Sequence, residues 1–267
     1  MIYQAKESSL QLNYGKVRYI SFGMGEKPLV MIQGLNTRGI HGMAVPLAWM
    51  YRVFAKEYKV YLFDRREDLP EEITVRELAQ DVANAMDTLG FQKADIFGVS
   101  QGGMIAEYLA MDRPDLVHKL VLAVTLSKSN EMVTSVIQKW IQLTEAKEYK
   151  MLIKDMAEKM YSEKYLKRYR PMLPLLTLIQ TPKDEKRFLT LAKACLTCDA
   201  YEELEKIQCP VLVLGGGKDQ VVGGEASLEI AEKLNCEIYM YEDLGHAAYE
   251  EAKDFNHKVY AFLNRTE

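Results

Sequence analysis

The sequence predicts an α/β protein built on a doubly wound, mostly parallel sheet, and three observations carry that expectation. Short continuous apolar runs, Pro28–Ile32, Val60–Phe63, Leu120–Val124 and Val211–Leu214, read as strands buried on both faces. Stretches with apolar residues at helical spacing alternate with them, as crossover helices do between parallel strands. The alternation stops between Leu126 and about Thr197, where the pattern is helical throughout, and resumes at Pro210. A helical block interrupting an α/β pattern reads as an inserted cap. The expected division is 1–126 and 198–267 for the core and 127–197 for the cap.

Taken in order, Leu10–Tyr14 and Lys16–Phe22 alternate about Gly15 and read as a hairpin. Pro28–Ile32 ends at Gln33-Gly34, and the loop Leu35–Gly42 leads into a helix over Ala44–Lys56. Leu47, Met50, Tyr51 and Phe54 share one face of it. Val60–Phe63 ends in Asp64-Arg65-Arg66. A helix from about Val75 to Leu89 comes next, with Leu78, Val82, Ala85 and Met86 as its stripe and Gly90 as its stop. In the block after Leu126, Val133, Val136, Ile137, Trp140 and Ile141 form one stripe, and Leu152, Ile153, Met156 and Met160 a second. Pro171, Pro174 and Pro182 break the rest of the block into short pieces. Ala226–Leu234 reads as a helix, Glu237–Tyr241 as the last strand and Ala247–Leu263 as a closing helix.

Bulk properties exclude several classes. The 267 residues are 48% hydrophobic and 27% charged with a net charge of −4, the balance of an ordinary globular protein. Basic residues are scattered, so no nucleic-acid footprint is expected. No apolar run approaches a membrane span and MIYQAKESSL lacks a signal-peptide core, which makes the expected location cytoplasmic. Cys195, Cys198, Cys209 and Cys236 fit reduced thiols. Cys195 and Cys198 have C-x-x-C spacing, but no second pair or nearby histidine supports zinc or thioredoxin chemistry.

The chemistry concentrates in Ala94–Glu107, ADIFGVSQGGMIAE. A strand runs into Gly98-Val99-Ser100-Gln101-Gly102, and a helix leaves it. That is the context in which G-x-S-x-G marks a nucleophile elbow. A dinucleotide loop is a poor reading, because Ser100 replaces the glycine that lets backbone approach a pyrophosphate. Gly215-Gly216-Gly217-Lys218 lacks Walker spacing. Functional groups of such sheets gather past the carboxyl ends of strands. Ser100, Asp219 and His246 each come just after a predicted strand, in the chain order Ser…Asp…His. Serine needs a base to take its proton, imidazole titrates near neutrality, and a carboxylate orients the imidazole. His118 lies at the wrong end of a strand, His257 lies mid-helix, and His41 occupies a surface loop. Asp64 also ends a strand, where an ion pair with Arg65 is expected. The backbone amides of Gln101 and Leu35, with Asn36 as the alternative to Leu35, are the expected oxyanion donors.

Together, Gln33-Gly34, Asp64-Arg65, Ala94–Gly103, Arg113-Pro114…Leu120-Val121-Leu122, Gly217-Lys218-Asp219 and Gly245-His246 resemble the alpha/beta hydrolase superfamily, in its members with a helical cap after the sixth strand. The resemblance implies an eight-stranded, mostly parallel sheet with helices on both faces, no cofactor, no metal, and an acyl-enzyme formed on Ser100 with His246 as base and then acid. Gln33 stands where relatives have histidine, and Arg66-Glu67-Asp68-Leu69-Pro70 replaces a glycine-rich segment. Ser100 in place of aspartate argues against haloalkane dehalogenases and epoxide hydrolases. The expected activity is hydrolysis of a small ester, thioester or lactone with an apolar acyl part. Carbon–carbon bond hydrolysis or a lyase step on the same residues, and ligand sensing on a hydrolase scaffold, are the alternatives.

Overall fold

A computed structural model describes residues 2–169 and 179–266. Eight strands form one sheet: β1 (Lys6–Leu12), β2 (Gly15–Phe22), β3 (Lys27–Ile32), β4 (Tyr58–Phe63), β5 (Ala94–Val99), β6 (Val117–Ala123), β7 (Val211–Gly216) and β8 (Glu237–Tyr241). Their spatial order is β1-β2-β4-β3-β5-β6-β7-β8. Only the β1–β2 and β2–β4 pairings are antiparallel; the other pairs are parallel.

Strand residues alternate between two cores, which explains the unbroken apolar runs. Val30, Ile32, Ile96, Leu120, Leu122 and Val213 pack on one face with the helices α2 (Val75–Thr88), α3 (Gln101–Asp112) and α8 (Gly224–Leu234). Leu29, Met31, Phe97, Val121, Leu212 and Leu214 face the other way, onto α1 (Ala44–Met50) and α10 (Phe255–Leu263). A strand covered on both sides has no solvent face to fill with polar residues. Local signals fix the helix ends: Thr74 and Glu77 form a reciprocal capping box at the start of α2.

Between β6 and β7 the described chain is helical, with α4 (Glu131–Glu145), α5 (Tyr149–Met160), α6 (Glu163–Tyr169) and α7 (Glu185–Cys195). Asn130 caps α4 and Asp184 caps α7 through side-chain oxygens. Pro171 and Pro174 lie outside the described residues. Among those residues no helix is long and apolar enough to cross a membrane.

Three elements differ most from their expected form. β1 begins at Lys6, ahead of the apolar alternation, because this edge strand buries only Leu12. The helix at Ala44 ends at Met50, and a 3-10 turn, Arg52–Phe54, completes the connection. The closing helix is two pieces, α9 (Ala248–Glu251) and α10, because Ala252 takes an extended conformation, φ −80° and ψ 116°. The break turns Phe255 onto the sheet, where its ring stacks with Phe97 and Tyr241.

Candidate active site

The parallel register brings the β3 and β5 ends together, since Ile32 pairs with Gly98. The chain leaving β5 turns at Ser100, whose φ of 53° and ψ of −122° lie where side chains are strained. Two contacts hold the turn. Ser100 N donates to Ala123 O at 2.8 Å, and Thr125 Oγ1 donates to Ser100 O at 2.8 Å. The flanking glycines answer a steric need: a Cβ on Gly102 would sit 1.9 Å from Ile32 O, and one on Gly98 2.4 Å from Gly102 O. Neither obstacle is a side chain that can swing away.

β7 delivers Asp219 and β8 delivers His246. β8 lies three strands from β5, about 14 Å at a spacing of ~4.8 Å, so the histidine loop must reach back across the sheet end. It is fastened there by Lys218 N donating to Leu244 O and Ala247 N donating to Met160 O, at 2.9 and 2.8 Å. His246 Nε2 is then 2.9 Å from Ser100 Oγ, and Nδ1 is 2.8 Å from Asp219 Oδ2. Asp219 Oδ1 accepts from the amides of Val221 and Val222 at 2.8 and 3.0 Å. Asp219 and His246 are both buried. A carboxylate only accepts, so Nδ1 carries the proton facing Asp219 and the Nε2 lone pair faces the serine hydroxyl.

Gly34 packs over the elbow, where a Cβ would lie 3.1 Å from Ser100 Cβ. Leu35 N–H comes directly after it, and Gln101 N–H opens α3. Among the described residues neither amide donates to another group. Both are available to an anion beside Ser100. Asn36 instead turns its side-chain oxygen to the amides of Arg38 and Gly39, shaping the loop.

Arg65 departs from its expected partner. Asp64 pairs with Arg187 of α7 at 2.9 Å, whereas the buried Arg65 guanidinium donates to Gln33 O at 2.6 Å and Gln101 Oε1 at 3.1 Å. Burial lowers Arg65 to about 10, still a cation at neutral pH. Gln101 Nε2 in turn donates to Leu191 O at 2.6 Å. The guanidinium therefore joins the loop after β3 to the first residue of α3, and the Gln101 side chain joins α3 to α7. A strand-end Arg was visible in the sequence, but the carbonyl it reaches lies in another loop.

A narrow cavity of about 30 Å³, room for a water or two, lies at Ser100 and is lined by Leu35, Trp140, Met156, Met160 and Val222 among others. Cys195 also lines it, and burial pushes its thiol up to about 12, leaving it protonated and unreactive. The other histidines lie elsewhere. His118 pairs with Asp95 at the amino end of the sheet, His41 meets Glu7 at the surface, and His257 is exposed on α10. No group of three or more His, Cys, Asp or Glu residues suited to a metal ion occurs among the described residues.

Comparison with known proteins agrees with this architecture. The family profile of the alpha/beta hydrolase fold matches residues 27–253. A protein provisionally named carbamate hydrolase RutD from Rhizobium rhizogenes is 24% identical over 247 residues, 89% of this chain and 92% of that protein. The 3-oxoadipate enol-lactonase 2 of Acinetobacter baylyi is 21% identical over 258 residues, 93% of each chain. The crystal structure of the enol-lactonase from Burkholderia xenovorans LB400 superposes with a TM-score of 0.84 at 19% identity, covering 97% of this chain and 100% of that one. With its eight-stranded sheet, its strained serine turn and a profile match over most of its length, the chain belongs to the alpha/beta hydrolase family.

Proposed function

We propose that the protein is a serine hydrolase that cleaves a small carboxylic ester, thioester or lactone through an acyl-enzyme on Ser100, with residues 127–197 acting as a cap over the site. The supporting observation is the relay from Asp219 through His246 to Ser100, with each proton position fixed by its acceptor. As the serine oxygen attacks the substrate carbonyl carbon, its proton passes to His246 Nε2. Asp219 stabilises the imidazolium that results. The carbonyl oxygen becomes an anion, which the Leu35 and Gln101 amides receive without reorganising. Collapse expels the leaving group with the proton from His246. Water then enters and attacks the acyl carbon as it loses a proton to the same nitrogen. His246 returns that proton to Ser100 Oγ as the bond to serine breaks and frees the acid.

Similar proteins are named for carbamate and lactone hydrolysis, and carbamates and lactones both hold a carbonyl carbon bearing an oxygen, the bond class proposed here. A fluorophosphonate probe should label Ser100. Ser100→Ala should abolish labelling and lower ester turnover by at least about 10⁴-fold, as loss of such a nucleophile does elsewhere. Turnover that survives the substitution would overturn the assignment.

A further inference from the structure

The cavity at Ser100 is too small for a whole substrate. About 30 Å³ admits the reacting carbonyl and a short stub. A second chamber of about 520 Å³ adjoins it, sharing Gly34, Leu35 and Tyr249 as common walls. That volume lies within the range of small-molecule sites. Its floor is apolar, formed by Leu47, Met50 and Phe97, and Tyr51 contributes a further aromatic wall. Glu250 stands at the mouth, four residues past His246 on α9, and accepts a hydrogen bond from Tyr161 Oη of the helical insertion at 2.7 Å.

The charge of the chamber's described lining is one-sided. Its described lining includes the Glu250 carboxylate and no Lys, Arg or His. Among the described residues Glu250 joins no ion pair. With no basic residue in the described lining, a carboxylate beside tyrosine rings suits a cation and opposes an anion. We propose, building on the hydrolase reading above, that the larger half of the substrate lies in this chamber and ends in a cationic, ammonium-type group facing Glu250, while the half at Ser100 is only a few atoms long. Leu35 and Tyr249 then separate the reacting bond from the recognition group, and Glu250 acts as the specificity residue.

The test uses three acetate esters of equal chain length ending in ammonium, methyl or carboxylate, with kcat/KM measured on the intact protein. The wild-type protein should favour the ammonium ester over the methyl ester by about tenfold and disfavour the carboxylate ester by at least as much. Glu250→Gln should collapse the ammonium-to-carboxylate ratio at least tenfold, and Glu250→Lys should invert it. Glu229→Gln, a charge-matched change on the exposed face of α8, should leave the ratio as in wild type. A wild-type preference for the carboxylate ester, or a ratio that ignores the charge at position 250, would overturn the proposal. Failure of the wild-type protein to react with fluorophosphonate would instead count against the hydrolase reading.

Discussion

Ser100 holds a backbone conformation that costs on the order of 1–3 kcal/mol, and neighbouring contacts must over-determine it. Arg65 extends that logic from the proposed nucleophile to the amides proposed to bind the oxyanion. Its guanidinium grips the Gln33 carbonyl, two residues before the Leu35 amide, and the side chain of Gln101, whose own amide is the second donor in the proposed mechanism. Arg65→Met should therefore lower kcat by about 10- to 100-fold, the scale of a displaced oxyanion donor, with KM changed by less than about threefold. Arg65→Lys should not restore it, because one ammonium cannot replace the planar fork at two acceptors. Steady-state kinetics and the rate of fluorophosphonate labelling check both; a rise in KM at constant kcat would refute a positioning role. That Ser100, Asp219 and His246 meet could be read from the sequence because each residue type has few rivals at a strand end. Arg65 could not, because its partners are a main-chain carbonyl and an amide side chain from distant segments. Nor could the Tyr161–Glu250 contact, which joins the insertion to the core.

At the scale of elements, the strands and most helices were legible because what covers each face sets the pattern: unbroken apolar runs where a strand is covered on both sides, and a period of 3.6 where a helix is covered on one. The misses occur where coverage is one-sided or tertiary contacts interrupt a helix, as at the edge strand β1 and between α9 and α10. Helix α7 shows how the insertion is held. Arg187 pairs with Asp64 at 2.9 Å and donates to the carbonyls of Arg66 and Arg65 at 2.7 and 3.1 Å. Both side chains are mostly buried, 18% and 11% exposed. Removing the cation strands Asp64, a loss on the order of 3 kcal/mol. Arg187→Met should show that loss in chemical denaturation. Because α7 also carries Leu191, the acceptor of Gln101 Nε2, it should slow ester turnover as well. A variant with wild-type stability would mean that α7 is held by its apolar face alone.

Across the whole molecule, the sheet joins two cores, and the insertion is tied to several separate places at its carboxyl end, among them the β4 exit through Arg187, the elbow through Gln101, the loop after β7 through Asn130, and the histidine loop through Met160 and Ser162. One buried acid lies among these supports without a part in the chemistry proposed. Glu107 on α3 is fully buried, and Ser127 donates to one of its oxygens at 2.8 Å. Burial raises its carboxyl well above the ordinary 4.5. The folded protein therefore keeps a proton that the unfolded chain releases above pH 4.5. Stability from this group is complete below that pH and declines as pH rises toward the folded-state value, by up to about 1.4 kcal/mol per pH unit. Glu107→Gln removes the ionisation while keeping the shape. Its cost from an imperfectly paired amide is independent of pH, and all other titrating groups are common to both proteins. The difference in unfolding free energy between wild type and variant, measured in urea at pH 5.5, 6.5 and 7.5, should therefore shift steadily in favour of the variant. Parallel curves would show that Glu107 is ionised in the folded protein and that Ser127 alone sustains its charge.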